Sequence, residues 1–255
     1  MRSIVHIVVV AFLFLAVAGL VVVVVGRFRE SANRARCTNN LREIGVALHG
    51  YNATNGFPPA GTLPNPELPP EQRLSWYVEL LPYVGKDDLY RRIDQSRPWD
   101  ADANRAAVNT VIPTFVCPAN FSGVPPDSPG PAHYIGIAGL RKDAAVLPLN
   151  DPKAGFFGYD STCSFADAQR GVTFTIVAME TASEIGPWAA GGWPTVRGLD
   201  PHRRPYLGPG QQFGGIHQGG AFTLFADLSV QFLNDSMNER ALEGMSTLSP
   251  SVDWE

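Results

Sequence analysis

From Ile4 to Val25 the chain runs 22 residues without a charged side chain, and His6 is the only strongly polar residue in the run. In a helix, at about 1.5 Å per residue, that length crosses a hydrocarbon core about 30 Å thick. A helix buried in a soluble domain needs only one apolar stripe, so an all-round apolar run of this length predicts a transmembrane anchor over residues 1–26. Membrane lipid is then the first partner. A cleaved signal peptide is the competing reading, because Ala16-Val17-Ala18 has a small-x-small pattern. Leu20 and Val21 to Val25 carry the apolar run past that point, which favours an anchor that stays attached. Arg27, Arg29, Arg34 and Arg36 follow the run, whereas only Arg2 precedes it. Taken alone, that asymmetry would place the rest of the chain in the cytoplasm.

Helical character continues beyond the anchor. Leu41, Ile44, Leu48 and Tyr51 recur at spacings of three, four and three, an apolar stripe with Asn39, Asn40, Arg42, Glu43 and His49 mostly off it. One helix is expected from about Ile4 to Asn52, half in lipid and half docked on a domain. Asn55-Gly56 and Pro58-Pro59 then stop it. The chain holds 25 Gly and 22 Pro, most of them beyond this helix, so the regular elements that follow should be short. Trp76 to Tyr83 reads as a short apolar element leading into a polar helix near Lys86 to Ile93. Val111 to Val116, Tyr134 to Ala138 and Val172 to Met179 read as strands. Gly186 to Gly215 reads as a long irregular loop. Ala221 to Ala226 and Ser229 to Leu233 form a hairpin about Asp227-Leu228, and a last helix covers about Met237 to Met245, N-capped by Asn234, Asp235 or Ser236. The expected architecture is α+β, a long helix packed on an antiparallel sheet with long Gly/Pro-rich loops.

Several of these stretches, in this order, resemble a large planctomycete family of unknown function whose members have a type IV pilin-like N-terminus. The matching pieces are Cys37 to His49 (CTNNLREIGVALH), Tyr51 to Pro59 (YNATNGFPP), Trp76 to Tyr83, and Phe115-Val116-Cys117-Pro118. Near the end, His217 and Asp227 are separated by nine residues, like the family's C-terminal signature of histidine, nine residues and Asp-Gly, called prepilin-type processing-associated. The resemblance implies a type IV pilin-like fold and a pseudopilin-like protein held in the cytoplasmic (inner) membrane by a single pass. Its domain, residues 27–255, would lie in the periplasm or outside, against the arginine count. Other pilin-like envelope proteins are the implied partners. Two departures stand out. The prepilin cleavage pattern is replaced by Met1-Arg2-Ser3-Ile4-Val5-His6, with no Glu or Asp in the apolar run, and Leu228 occupies the position of the signature glycine. A type I′ turn needs positive φ there, so leucine predicts a different turn.

Candidate chemistry is sparse. A net charge of -4 argues against nucleic acid as a partner. Of Cys37, Cys117 and Cys163, the first two fall in family-like segments, so a Cys37–Cys117 disulfide is favoured over three reduced thiols. There is no C-x-x-C, H-E-x-x-H, G-x-S-x-G or Walker loop, so no metal, cofactor or catalytic residue is assigned. His217 and Asp227 are either a pair that meets, alone or around a cation with Asp200 or His202, or two separate structural residues of a loop and a turn. Trp188 and Trp193, with Tyr206 and Phe213, either contact a ligand such as a sugar ring or only cover the sheet. The expected role is structural or interactive, without catalysis. The alternative is an extracytoplasmic carbohydrate-binding or metal-dependent module using the Gly186 to His217 loop.

Overall fold

The computed structural model describes residues 2–121, 123–161, 163–168 and 171–250. Its first element, α1 (Arg2–Asn55), is one uninterrupted helix of 54 residues, about 80 Å long. It ends three residues later than the stripe suggested, just before Gly56, which takes φ +87°. From Phe12 to Phe28 its side chains are exposed, and by length and composition this part is apolar enough to cross a membrane, a test a signal sequence would also pass. Cys37, Leu41, Ile44, Ala47 and Leu48 are buried, so the expected stripe docks on the domain.

Short elements follow: α2 (Trp76–Leu80), α3 (Asp87–Tyr90) and α4 (Asp102–Val108). The strands are β1 (Pro131–Ala132), β2 (Tyr134–Leu140), β3 (Ile176–Glu180), β4 (Gly186–Pro187), β5 (Val196–Leu199), β6 (Gly220–Phe225) and β7 (Val230–Asn234), before α5 (Glu239–Met245). The main sheet has the order β5-β2-β3-β6-β7, and β1 pairs β4 separately. The sheet is mixed rather than purely antiparallel, because β5 pairs parallel to β2. That strand lies inside the stretch expected to be irregular.

The sheet is covered on both faces. Tyr134, Ala138, Val177, Ala178, Val196, Phe222 and Leu224 join the cluster built on α1 and α2. Ile135, Ile137, Ile176, Met179, Leu199, Ala221 and Phe225 face a second cluster with Tyr206, Leu207, Phe213 and Leu242. On β2 and β6 alternate residues thus enter opposite cores, the period-two geometry of a strand, whereas on β3 Val177 and Ala178 enter the same one where the register shifts. Every residue of β2 is buried for this reason.

Three local expectations are corrected. Val111 to Val116 is not a strand: Pro113–Phe115 forms a 3₁₀ turn. Its carbonyls are satisfied by side chain and loop, Asn40 Nδ2 donating to Val116 O at 2.9 Å and Pro113 O at 3.1 Å, and the His133 N–H donating to Phe115 O at 2.9 Å. The third strand begins at Ile176, not Val172, because Val172–Phe174 is a 3₁₀ turn with Phe174 exposed. The cap of α5 is Asn238, whose side chain accepts from the Ala241 N–H at 3.2 Å. Asn234 instead accepts from the Ser236 N–H at 2.8 Å and organises the preceding turn.

Candidate functional site

His217 and Asp227 are not brought together; β6 runs between them. Asp227 is exposed, and its Oδ1 accepts the Ser229 N–H at 2.9 Å, so it orders the turn between β6 and β7. Leu228 N–H donates to Phe225 O at 3.0 Å, closing a turn whose central residues are Ala226 and Asp227, and Leu228 follows at φ +70°. The turn therefore differs from type I′, as expected, yet leucine still occupies a left-handed position that costs it about 1–2 kcal/mol. Leu228 packs on α1 where residue 45 is glycine: a Cβ there would lie 3.0 Å from its Cδ2. Asp200 and His202 bond to each other locally, Asp200 Oδ1 accepting the His202 N–H at 3.0 Å.

His217 has a different set of neighbours. It is buried just ahead of β6, its ring edge-on to Phe222 with centroids 5.2 Å apart. Nδ1 lies 2.8 Å from Glu30 Oε1 on α1. Nε2 lies 3.4 Å from Cys117 Sγ and 3.9 Å from Glu180 Oε2. A carboxylate only accepts, so Nδ1 carries the proton and Nε2 faces the sulfur and the second carboxyl. Glu30, Arg34, Cys37 and Leu41 follow at spacings of four, three and four along one face of α1. That face brings Glu30 to His217, sets the Arg34 guanidinium 4.0 Å from the Phe232 ring centroid, and joins Cys37 to Cys117 in a disulfide. The disulfide ties the helix to the segment beside the sheet, the pairing read from the sequence.

Glu180, the last residue of β3, is fully buried, and neither of its oxygens has a hydrogen-bond partner of good geometry among the described residues. Burial raises its pKa from 4.5 to about 8, with the Phe222 backbone and the Arg34 charge opposing the rise and Glu30 adding to it. A buried carboxyl so poorly partnered is costly whether charged or neutral. Together Cys37, Cys117, Glu180 and His217 place four metal-capable donor atoms within 4.8 Å of one another. The sequence hid this cluster because its members lie on α1, a loop, β3 and the approach to β6. Only the motif character of Cys37, Cys117 and His217 hinted at it.

The flanking groups are quieter. The His133 Nδ1 accepts the Cys117 N–H at 3.0 Å, and burial pushes this imidazole down to about 4. Cys163 is a buried thiol that donates to Phe156 O at 2.9 Å; burial raises its pKa to about 12, far from the thiolate a nucleophile requires. The aromatic loop turns inward. Trp188 is fully buried and donates its Nε1–H to Thr110 O at 2.9 Å, so neither ring face is offered to a ligand. Tyr206 and Phe213 are core residues. Trp193 is half-buried, donating to Glu184 Oε2 at 2.7 Å near the buried Arg197, which donates to Trp193 O at 2.9 Å and Ser183 O at 3.0 Å.

Residues 26–240 match a family model described as a protein of unknown function, DUF1559. No curated protein and no solved structure matches the chain.

Proposed function

This chain belongs to the DUF1559 family of proteins of unknown function, and from that premise we propose that it is a membrane-anchored, pseudopilin-like envelope protein. Its exported domain has a structural or interaction role rather than a catalytic one. The observation that carries the reading is the continuity of α1. The helix passes from an exposed apolar half into the domain core without a break, and Glu30, Arg34 and Cys37 engage the domain within about three turns of the apolar run. A chain released by cleavage would leave that helix with no use for Leu20 to Val25, whereas an anchor of this kind holds the domain rigidly at the membrane surface. The inward packing of Trp188, Tyr206 and Phe213 supports an interaction role over sugar binding by these aromatics, since their rings already serve as core.

Two measurements on native material test the reading. N-terminal sequencing of membrane-extracted protein is expected to return a chain that retains residues 19–25. Protease added to intact spheroplasts is expected to digest the domain. A soluble mature chain beginning after Ala18, or a fully protected domain, would reject the proposal.

A further inference from the structure

We propose that Cys37, Cys117, Glu180 and His217 form a closed tetrahedral site for a zinc-class divalent cation once the Cys37–Cys117 disulfide is reduced, so that metal and disulfide are alternative links between α1 and the sheet. The inference does not depend on how the chain is anchored.

The donor geometry comes first. Zinc bonds of about 2.3 Å to sulfur and 2.0–2.2 Å to nitrogen or oxygen put ligand atoms on a tetrahedron with edges of about 3.3–3.8 Å. His217 Nε2 is 3.4 Å from Cys117 Sγ and 3.9 Å from Glu180 Oε2, both close to such edges. The full set of four donor atoms spans no more than 4.8 Å. Only the sulfurs are incompatible as they stand, because two atoms sharing a covalent bond are too close to ligate one ion together. Reduction removes that obstacle and leaves the other positions in place.

The surroundings are those a metal site requires. Metal-bound histidine commonly donates its second ring N–H to a carboxylate, which fixes the tautomer and makes the ligating nitrogen more basic. Glu30 already accepts from Nδ1 at 2.8 Å, leaving Nε2 aimed at Cys117 and Glu180. Glu180 is the independent observation, a fully buried carboxyl with no hydrogen-bond partner of good geometry among the described residues. A cation between it and Nε2 gives it one. Two thiolates with an imidazole and a carboxylate select zinc over magnesium or calcium. With four buried protein ligands and no open position, the site is structural rather than catalytic.

The chemistry balances with a dithiol as reductant. It delivers two electrons and two protons to the Cys37–Cys117 bond and leaves as its own disulfide. The incoming cation then displaces the two thiol protons, and any proton on the Glu180 carboxyl, to solvent as both sulfurs and the carboxylate ligate. Oxidation by a disulfide-forming partner reverses the sequence and expels the ion.

The test uses the full-length protein in detergent micelles, reduced, freed of reductant without oxygen, and titrated with Co²⁺ alone. One ion per reduced chain is expected, with the visible absorption of tetrahedral cobalt and a near-ultraviolet thiolate-to-cobalt band, both absent from the oxidised protein. Glu30→Gln should weaken binding about 10–100-fold while keeping the thiolate band, and Glu180→Gln at least about tenfold. A folded reduced chain that binds no cobalt tetrahedrally overturns the proposal. So does the same spectrum in the oxidised protein, or unchanged affinity in both variants, which would mean that the thiolates bind alone. If reduction unfolds the chain, Zn²⁺ must restore its near-ultraviolet circular dichroism, and failure to do so also overturns it.

Discussion

The buried Glu180 should make this protein less stable as pH rises, and by an amount the structure sets. Burial holds its folded-state pKa at about 8, against 4.5 for an ordinary glutamate. In the unfolded chain the carboxyl ionises freely from about pH 4.5, while in the fold it must stay neutral or be charged without solvent. The sign follows: between these two values the folded state binds the extra proton, so stability falls with rising pH. The penalty is absent below about pH 4.5, grows by about 1.4 kcal/mol per pH unit, and levels off above about pH 8 at about 5 kcal/mol. Glu180→Gln removes the ionisation and keeps the shape. Guanidinium unfolding of the oxidised protein in micelles, followed by tryptophan fluorescence at pH 5 and pH 8, reads the effect directly. The variant should gain on the wild type by about 4 kcal/mol between those conditions. Any fixed cost of placing an amide there cancels in the comparison. A difference between the two proteins that stays constant within about 1 kcal/mol across this range would refute the account of Glu180 as a desolvated acid.

Other substitutions probe the links around it. The Cys37–Cys117 bridge spans a separation of 80 residues, so replacing both cysteines by alanine should cost about 4.5 kcal/mol, an unfolding midpoint lower by about 1 M guanidinium. A midpoint unchanged by the double substitution would show that the bridge does not restrain the unfolded chain. Gly198→Ala should dislodge β5, because a Cβ there would lie 1.9 Å from Arg141 O; a loss of about 3 kcal/mol is expected in thermal unfolding, and a neutral result would refute the parallel pairing with β2. Glu30→Ala should abolish the hydrogen bond to His217 Nδ1, visible by NMR as a changed imidazole tautomer equilibrium, with a stability loss of about 1–2 kcal/mol.

Features set by neighbours in sequence were legible, and features set by contacts across the fold were not. The long apolar helix, the stripe of Leu41, Ile44 and Leu48, strand β2 and the β6–β7 hairpin all follow from runs and periods of about two dozen adjacent residues or fewer. Val111 to Val116 misled because its β-branched and aromatic residues are buried as a strand's would be. Its carbonyls are taken by Asn40 and by the His133 backbone, partners no local pattern reveals. Likewise β5 has only four residues, and its pairing with β2 depends on a crossover from Leu140 to Val196 that passes through β3 and β4.

The candidate site divides the same way. By itself the sequence determined that a long apolar helix leads into an α+β domain, because hydropathy and helical period are sums over adjacent residues, and motif resemblance singled out Cys37, Cys117 and His217. Tertiary structure alone decided that His217 turns from Asp227 toward Glu30, Glu180 and the disulfide, since residues from four separate elements meet only after the sheet has formed and the helix has docked on it. The energy of a buried carboxyl depends on what surrounds it in space, and that is written nowhere in the order of the chain.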